Sequence, residues 1–370
     1  MSAVHDQSTD VTLHPLFGSI VSEQSYLLGI RDLVATKHAE ILVSRVVPFH
    51  VPDELVFAIA EHVSEVANRR EREKEDPPRV VEGRLNRYGV REMILSGGRM
   101  DPLPVVDEVP TWNGKATKYK GANKLLDRKA LITGGDSGIG RAVAVLFAIE
   151  GADSFIVYLS EEQSDAEQTK RMVESYGRKC YLHATDLKSK DNCRKAVDEA
   201  LSKLGSINIL VNNAAYQMMT DSILELSEEQ WVHTFDTNIH PYFYLAKYVL
   251  PHMKQGDTII NNASVNCYVG RPDLLDYTSS KGAIVAFTRG LSNQFVGKGI
   301  RVNAVAPGPV WTPLIVATMT EEAQKGFTSP MGRGAQPSEI ATCFVFLASN
   351  DSSQLSGQTI HCNGGVIVNG

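Results

Sequence analysis

Tyr277 and Lys281 stand four residues apart in YTSSK, and of the 12 tyrosines only Tyr277 has a lysine at that spacing. On a helix, positions i and i+4 share one face, about 6 Å apart along the axis. A free phenol, with a pKa of about 10, is a poor base near neutrality, and a neighbouring ammonium favours its phenolate form. The pair is a candidate for general acid–base chemistry. A second constellation is TGGDSGIG, Thr133 to Gly140, which lies between the apolar run ALIT and the helical stretch RAVAVLFAIEG. Its glycines let the backbone turn tightly and approach a pyrophosphate, and the helix start offers unpaired N–H groups and a positive dipole end. Taken alone, the same residues also suit an ordinary strand-to-helix turn.

Both groups need a scaffold. From about Lys129 the chain alternates short β-rich apolar runs with helical stretches: ALIT (130–133), SFIVYL (154–159), KCYLHA (179–184), INILVN (207–212), TIINNAS (258–264), IRVNAVA (300–306) and QTIHCN (358–363). Such repetition predicts an α/β fold, a doubly wound parallel sheet (Rossmann fold) with helices on both faces. Residues 1–110 read differently, as a mainly helical N-terminal extension and connector ahead of the 111–370 domain. Leu55, Val56, Ile59, Ala60, Val63, Val66 and Ala67 share one helical face after the start signal Pro52–Asp53. The stretch Ile20 to Val47 also reads as helix, stopped before Pro48. RREREKED (69–76) carries no net charge and reads as a solvated helix end, broken by Pro77 and Pro78. The Gly- and Pro-rich stretch 97–124 reads as an extended connector.

The TGxxxGxG spacing opens a resemblance to the short-chain dehydrogenase/reductase family, which runs from about residue 111 to the end. Further marks follow in order: NNAA at Asn212 to Ala215, Asn238 in TNIHPYFYLAK, Ser264 in INNAS, YTSSK, and PGPVWT at Pro307 to Thr312. The resemblance implies a catalytic set of Asn238, Ser264, Tyr277 and Lys281. In it Lys281 lowers the Tyr277 pKa and holds the nicotinamide ribose, and Ser264 hydrogen-bonds the substrate oxygen, where negative charge grows as hydride arrives. Asn238 holds a water in a proton relay to Lys281. The resemblance also places Gly134, Ser137, Gly138, Ile139 and Gly140 on the cofactor phosphates and ribose. Asp186 meets the adenine edge, Asn213 and Ala214 line the ribose side, Pro307 belongs to the cofactor wall, and Val310 and Thr312 hold the carboxamide.

An acid at the end of the second strand, about 18 residues beyond Gly140, would bind a ribose 2′-OH and repel a 2′-phosphate. Tyr158 stands there, followed by Leu159, Ser160, Glu161 and Glu162. The missing Asp points to NADP(H), while the missing Arg and the two acids point to NAD(H); the balance tips slightly to NADP(H). TGGDSGIGRAV followed by YLSEEQSDAE resembles a subgroup with an extended arm before the first strand, and YKGANKLLDRKALITGG fits that arm. One departure is Ala215, where the family usually has glycine. Tyr216, Gln217, Met218, Met219, Cys267, Tyr268 and Trp311 would line a roomy, mainly apolar substrate pocket, or serve as ordinary loop packing.

The 370 residues carry a formal charge of −6, which removes the broad positive field that nucleic-acid or anionic-membrane binding requires. The five cysteines form no CxxC pair, so neither a disulfide framework nor a thiolate zinc site is expected, and no metal is assigned. No apolar run is long enough to span a bilayer, and the start shows no leader pattern, so a cytoplasmic location is expected. The expected partners are a small-molecule carbonyl or alcohol and further copies of the chain, as a dimer or tetramer. The function expected is NAD(P)(H)-dependent interconversion of a carbonyl and an alcohol with Tyr277 as acid/base. A non-catalytic dinucleotide-binding scaffold, or a redox-neutral enzyme on the same fold, is the alternative.

Overall fold

The computed structural model describes residues 103–110, 115–319 and 328–368, all within the unit Gly83–Gly370. The helices expected before residue 103 and the charged run 69–76 lie outside the described residues. Seven strands form one sheet: β3 (Lys129–Thr133), β4 (Asp153–Tyr158), β5 (Cys180–Ala184), β6 (Ile209–Asn212), β7 (Thr258–Asn262), β8 (Arg301–Val305) and β9 (Thr359–Ile360). Their spatial order is β5-β4-β3-β6-β7-β8-β9, and every pairing is parallel. Among the helices that pack on the sheet are α1 (Gly138–Ile149), α2 (Gln163–Ser175), α3 (Lys190–Leu204), α4 (Glu228–Asn238) and α5 (His240–Val249). They are followed by the short α6 (Asn266–Val269), the long α7 (Leu275–Phe295), α8 (Pro313–Thr318) and α9 (Pro337–Ala348). Among the described residues, no helix is long and apolar enough to cross a membrane.

Strand periodicity assigns the two faces. Ile132, Ile156, Val211, Ile260 and Val305 point into one core with α1 and α9, while Leu131, Phe155, Leu210, Ile259 and Val302 point into the other with α3 and α5. Strands buried on both faces read as continuous apolar runs, which is why β3, β4, β6, β7 and β8 were legible, whereas the edge strands β5 and β9 are only partly buried. The order reverses at β3, which has β4 on one side and β6 on the other. Ligands of open parallel sheets bind in the crevice at the strand C-termini of such a reversal.

The connector ahead of β3 is partly built of strand: β1 (Glu108–Pro110) pairs antiparallel with β2 (Ala116–Lys118), and Val105 exchanges backbone and side-chain bonds with Gln336 and Ser338 at the start of α9. Beyond it, Glu150 anchors the arm. This carboxylate, fully buried at the end of α1, accepts from the Tyr119 hydroxyl and from the Ala122 and Lys124 amides, each amide at 2.9 Å. Glu150→Ala strands three donors and is expected to cost about 2 to 4 kcal/mol, read as a lower denaturant midpoint at unchanged m-value. A change under about 0.5 kcal/mol would show that the arm is held elsewhere.

Candidate active site

At the sheet reversal, Thr133 ends β3 and its Oγ1 accepts from the Asn213 and Ala214 amides at 2.8 and 3.0 Å. The Asn213 side chain returns the contact, donating to the Thr133 and Gly134 carbonyls. The glycine-rich turn is thus strapped to the loop after β6. Gly134 has φ +61°, and a Cβ on Gly140 would stand 1.9 Å from the Gly134 carbonyl oxygen, so neither position tolerates a side chain. Gly138 packs against Thr312 at the head of α8, where an added Cβ would meet the Thr312 methyl at 3.3 Å. Ser137 precedes α1 without capping it, and no acid occupies the first turn, whereas Ser189 and Ser227 cap α3 and α4 with their hydroxyls. A glycine cradle facing an uncapped helix start has the donors and the space that a pyrophosphate requires, so these residues fit a dinucleotide. Val310 is buried and bridges to Ala335, and the Pro307 carbonyl accepts the Val265 amide beside Ser264.

The four residues of the expected catalytic set come from the C-terminal side of β7 and from helices α4 and α7. Ser264 lies two residues beyond β7; its Oγ accepts the Asn266 amide at 3.1 Å, and its hydroxyl is near enough to the Tyr277 phenol to favour the ionised form. Lys281, one turn along α7, is 1% exposed, donates to the Asn262 carbonyl at 2.7 Å, and sits 5.4 Å from the Tyr277 ring centre. Burial dominates the protonation of both. It pushes the Tyr277 phenol up to about 12, against the lowering effect of the nearby Ser264, and pushes Lys281 down to about 7. Burial thus opposes the lowering of the Tyr277 pKa that the resemblance assigns to Lys281. Spacing brought the two together, but the dry surroundings disfavour charge on either, so the phenol holds its proton across the neutral range.

Asn238, the last residue of α4, is fully buried. Its Oδ1 accepts the Tyr216 amide at 2.7 Å, and its Nδ2 donates to the Tyr216 carbonyl and to Ser280 Oγ. It therefore fixes the head of the loop after β6 and touches α7 one residue before Lys281.

Around the end of β4, Tyr158 is buried and donates to Gln163 Oε1 at 2.6 Å. Close by, Asp136 and Asp165 are buried, with Arg141 donating to the Asp136 carbonyl and to Asp165 Oδ1. Burial, and then the Asp136 charge, push the Glu162 carboxyl up to about 8. Asp186 is half-exposed and ion-paired to Lys188 at 3.2 Å. On the substrate side, Gln217 turns inward to Thr318 Oγ1 on α8 at 2.8 Å, and the Tyr216 ring meets the His233 ring edge to face. A cavity of about 350 Å³ between α7 and β9, with Arg289, Asn293 and His361 in its wall, includes none of the expected site residues.

Sequence reasoning missed the residues that brace this site: Thr133, Asn262, Asp276 and Gln230. Asn262 is doubly used, since its carbonyl holds Lys281 and its amide donates to Asn213 Oδ1 at 2.8 Å. The one local signal was Asp276, an acid placed directly before Tyr277 at a helix start.

The family described as enoyl-(acyl carrier protein) reductase matches residues 134–367. A glucose and ribitol dehydrogenase from Daucus carota is 53% identical over 278 residues, covering 73% of this chain and 93% of that protein. An NADPH-dependent aldehyde reductase 1, chloroplastic, from Arabidopsis thaliana is 50% identical over 262 residues, covering 69% and 91%. A solved short chain dehydrogenase from Burkholderia cenocepacia J2315 in complex with NADP superposes with a TM-score of 0.61 at 26% identity, covering 65% of this chain and 98% of that one.

Proposed function

The chain belongs to the short-chain dehydrogenase/reductase family of oxidoreductases, and from that premise we propose that it interconverts a carbonyl and an alcohol, with Tyr277 handling the proton. The carrying observation is the buried Lys281, held by the Asn262 carbonyl 5.4 Å from the Tyr277 ring centre, with Ser264 beside the phenol. When bound, the nicotinamide supplies the hydride. Gly134, Ser137, Gly138, Ile139 and Gly140 would hold the phosphates and ribose, with Asn213 and Ala214 on the ribose side, Asp186 at the adenine edge, Pro307 in the cofactor wall, and Val310 and Thr312 at the carboxamide. The Ser264 hydroxyl donates to the substrate oxygen and stabilises the charge that develops there. Tyr277, kept protonated by its burial, delivers the proton to that oxygen in the reducing direction and takes it back in the oxidising one. Lys281 regains a proton from solvent through a water held at Asn238, and returns one to Tyr277. The test is turnover of the purified chain with NADPH and NADH over aldehydes, ketones and sugars. Oxidation of the nicotinamide with none of them would remove the assignment.

NADP(H) is the preferred cofactor in this proposal, supported by the NADP in the Burkholderia structure and the NADPH in the Arabidopsis protein's name. Glu162, with its carboxyl near 8, is uncharged at neutral pH and does not repel a 2′-phosphate there. Its sign of action follows: above about pH 8 it ionises, and the preference for NADPH over NADH is expected to fall about tenfold between pH 7 and 9. A 2′-phosphate has already completed its own second ionisation, near pH 6, in that window. Binding titrations at both pH values check this, and Glu162→Gln should hold the ratio constant; a constant ratio in the wild type would dismiss Glu162 from cofactor choice.

Assembly as a homo-oligomer and a cytosolic location belong to the same proposal. Trp231, Val232 and Phe243, exposed by 39%, 53% and 48% on α4 and α5, are the apolar side chains of these helices open to a second copy. Solution mass and cell fractionation test the two points.

A further inference from the structure

Two clamps hold the segment 216–220, and each joins α4 to α7. One is Asn238, which grips the Tyr216 backbone and Ser280. The other centres on Asp276, in the first turn of α7 and 1% exposed. Its Oδ2 accepts from Thr234 Oγ1 at 2.6 Å and from Gln230 Nε2 at 3.2 Å, and its Oδ1 accepts from the Tyr277 amide at 2.8 Å. The same Gln230 amide reaches Thr220 Oγ1 at 3.1 Å and the Met218 carbonyl at 3.3 Å, and the Thr220 amide donates to the Asp273 carbonyl.

The carboxylate therefore touches the backbone of Tyr277 on one side and, through one glutamine, the loop that carries Tyr216, Gln217, Met218 and Met219 on the other. Its charge is felt at the head of that loop, where burial and then Asp276 push the Tyr216 phenol up to about 12. Three donors converge on its two oxygens, which as a carboxylate accept all of them without either side chain reversing its bond. An asparagine there presents one acceptor and turns an NH₂ group against a donor. No cation contributes to these three bonds; a helix N-terminus, with its positive dipole end, is a favourable place for the negative charge.

We propose that Asp276 is a positioning residue that sets the substrate loop and the acid Tyr277 in register, with Gln230 as the link between them. The proposal rests on Tyr277 acting at the substrate, as argued above, and it assigns Asp276 and Gln230 a role in substrate affinity that neither has through contact with the cofactor cradle. Gln230→Ala cuts only the loop from the carboxylate. It is expected to raise KM for the carbonyl at least about fivefold with kcat within about twofold, and to leave the Kd for NADPH unchanged. Hydrogen exchange should accelerate about tenfold in a peptide covering 216–220 and not in α7.

Asp276→Asn disturbs both sides of the clamp, and kcat/KM is expected to fall about 30-fold, with kcat lowered as well as KM raised. Adding Gln230→Ala to it should cost little more, because the link is already broken. If Asp276→Asn does not fold, Gln230→Ala alone decides. An unchanged KM in Gln230→Ala, or losses that multiply in the double variant, overturns the proposal, because a merely structural carboxylate would lower the melting temperature without that pattern. A wild-type chain with no carbonyl turnover, whose loop exchange still responds to Gln230→Ala, would count against the function and uphold the clamp.

Discussion

Tyr277→Phe is expected to lower kcat by about 10²- to 10⁴-fold while NADPH binds within about threefold of the wild-type Kd. The change removes one oxygen and leaves the ring that packs 5.4 Å from Lys281 Nζ. What is lost is the phenol beside Ser264, and with it the proton that a reduced carbonyl oxygen must receive. Fold stability should change little, since a buried neutral phenol gives way to a ring of nearly the same shape. The rate is read at saturating cofactor, so that weakened binding does not imitate lost chemistry. A kcat within threefold of wild type would mean that another group supplies the proton.

The second large effect is at the cradle. Gly140→Ala is expected to weaken both NADPH and NADH at least about 100-fold, because the new methyl would lie 1.9 Å from a backbone oxygen that has nowhere to go. That oxygen belongs to Gly134, which is itself held by the Asn213 amide and by its own N–H bond to the Val157 carbonyl. To admit the methyl, the turn must open and α1 must retreat, which destroys the convergence of donors at the helix start. Cofactor fluorescence titration of the folded variant measures the loss, with circular dichroism as the check on folding. Retained affinity would show that the nucleotide does not rest on this turn.

Much of the fold was legible because parallel strands are buried on both faces. The runs that became β3 to β8 announce themselves as short apolar stretches, within about two residues of their observed ends. QTIHCN promised a longer strand than Thr359–Ile360, since only two residues of β9 pair with β8 before the chain turns through Gly364 and Gly365. The hairpin of β1 and β2 was invisible, as three-residue strands carry no periodicity.

At the site, Tyr277, Lys281 and Ser264 were legible as residue types at fixed spacings, and the structure brings them together. Their ionisation was not legible: spacing reports proximity, whereas the protonation of Tyr277 and Lys281 depends on how much water the fold removes. Nor were Thr133, Asn262, Gln230 and Asp276, whose work consists of contacts with residues remote in sequence. Asp276 meets Thr234 across 42 positions, and no local pattern encodes that meeting.

The most direct measurement is a single turnover with NADPH deuterated at the transferring position and an aldehyde substrate, followed by mass analysis of the product. One deuterium on the alcohol carbon, formed at a rate that Tyr277→Phe suppresses, is the expected result. An unlabelled product, or a product at the same oxidation level as the substrate, would contradict hydride transfer and return the chain to the redox-neutral or scaffold alternatives.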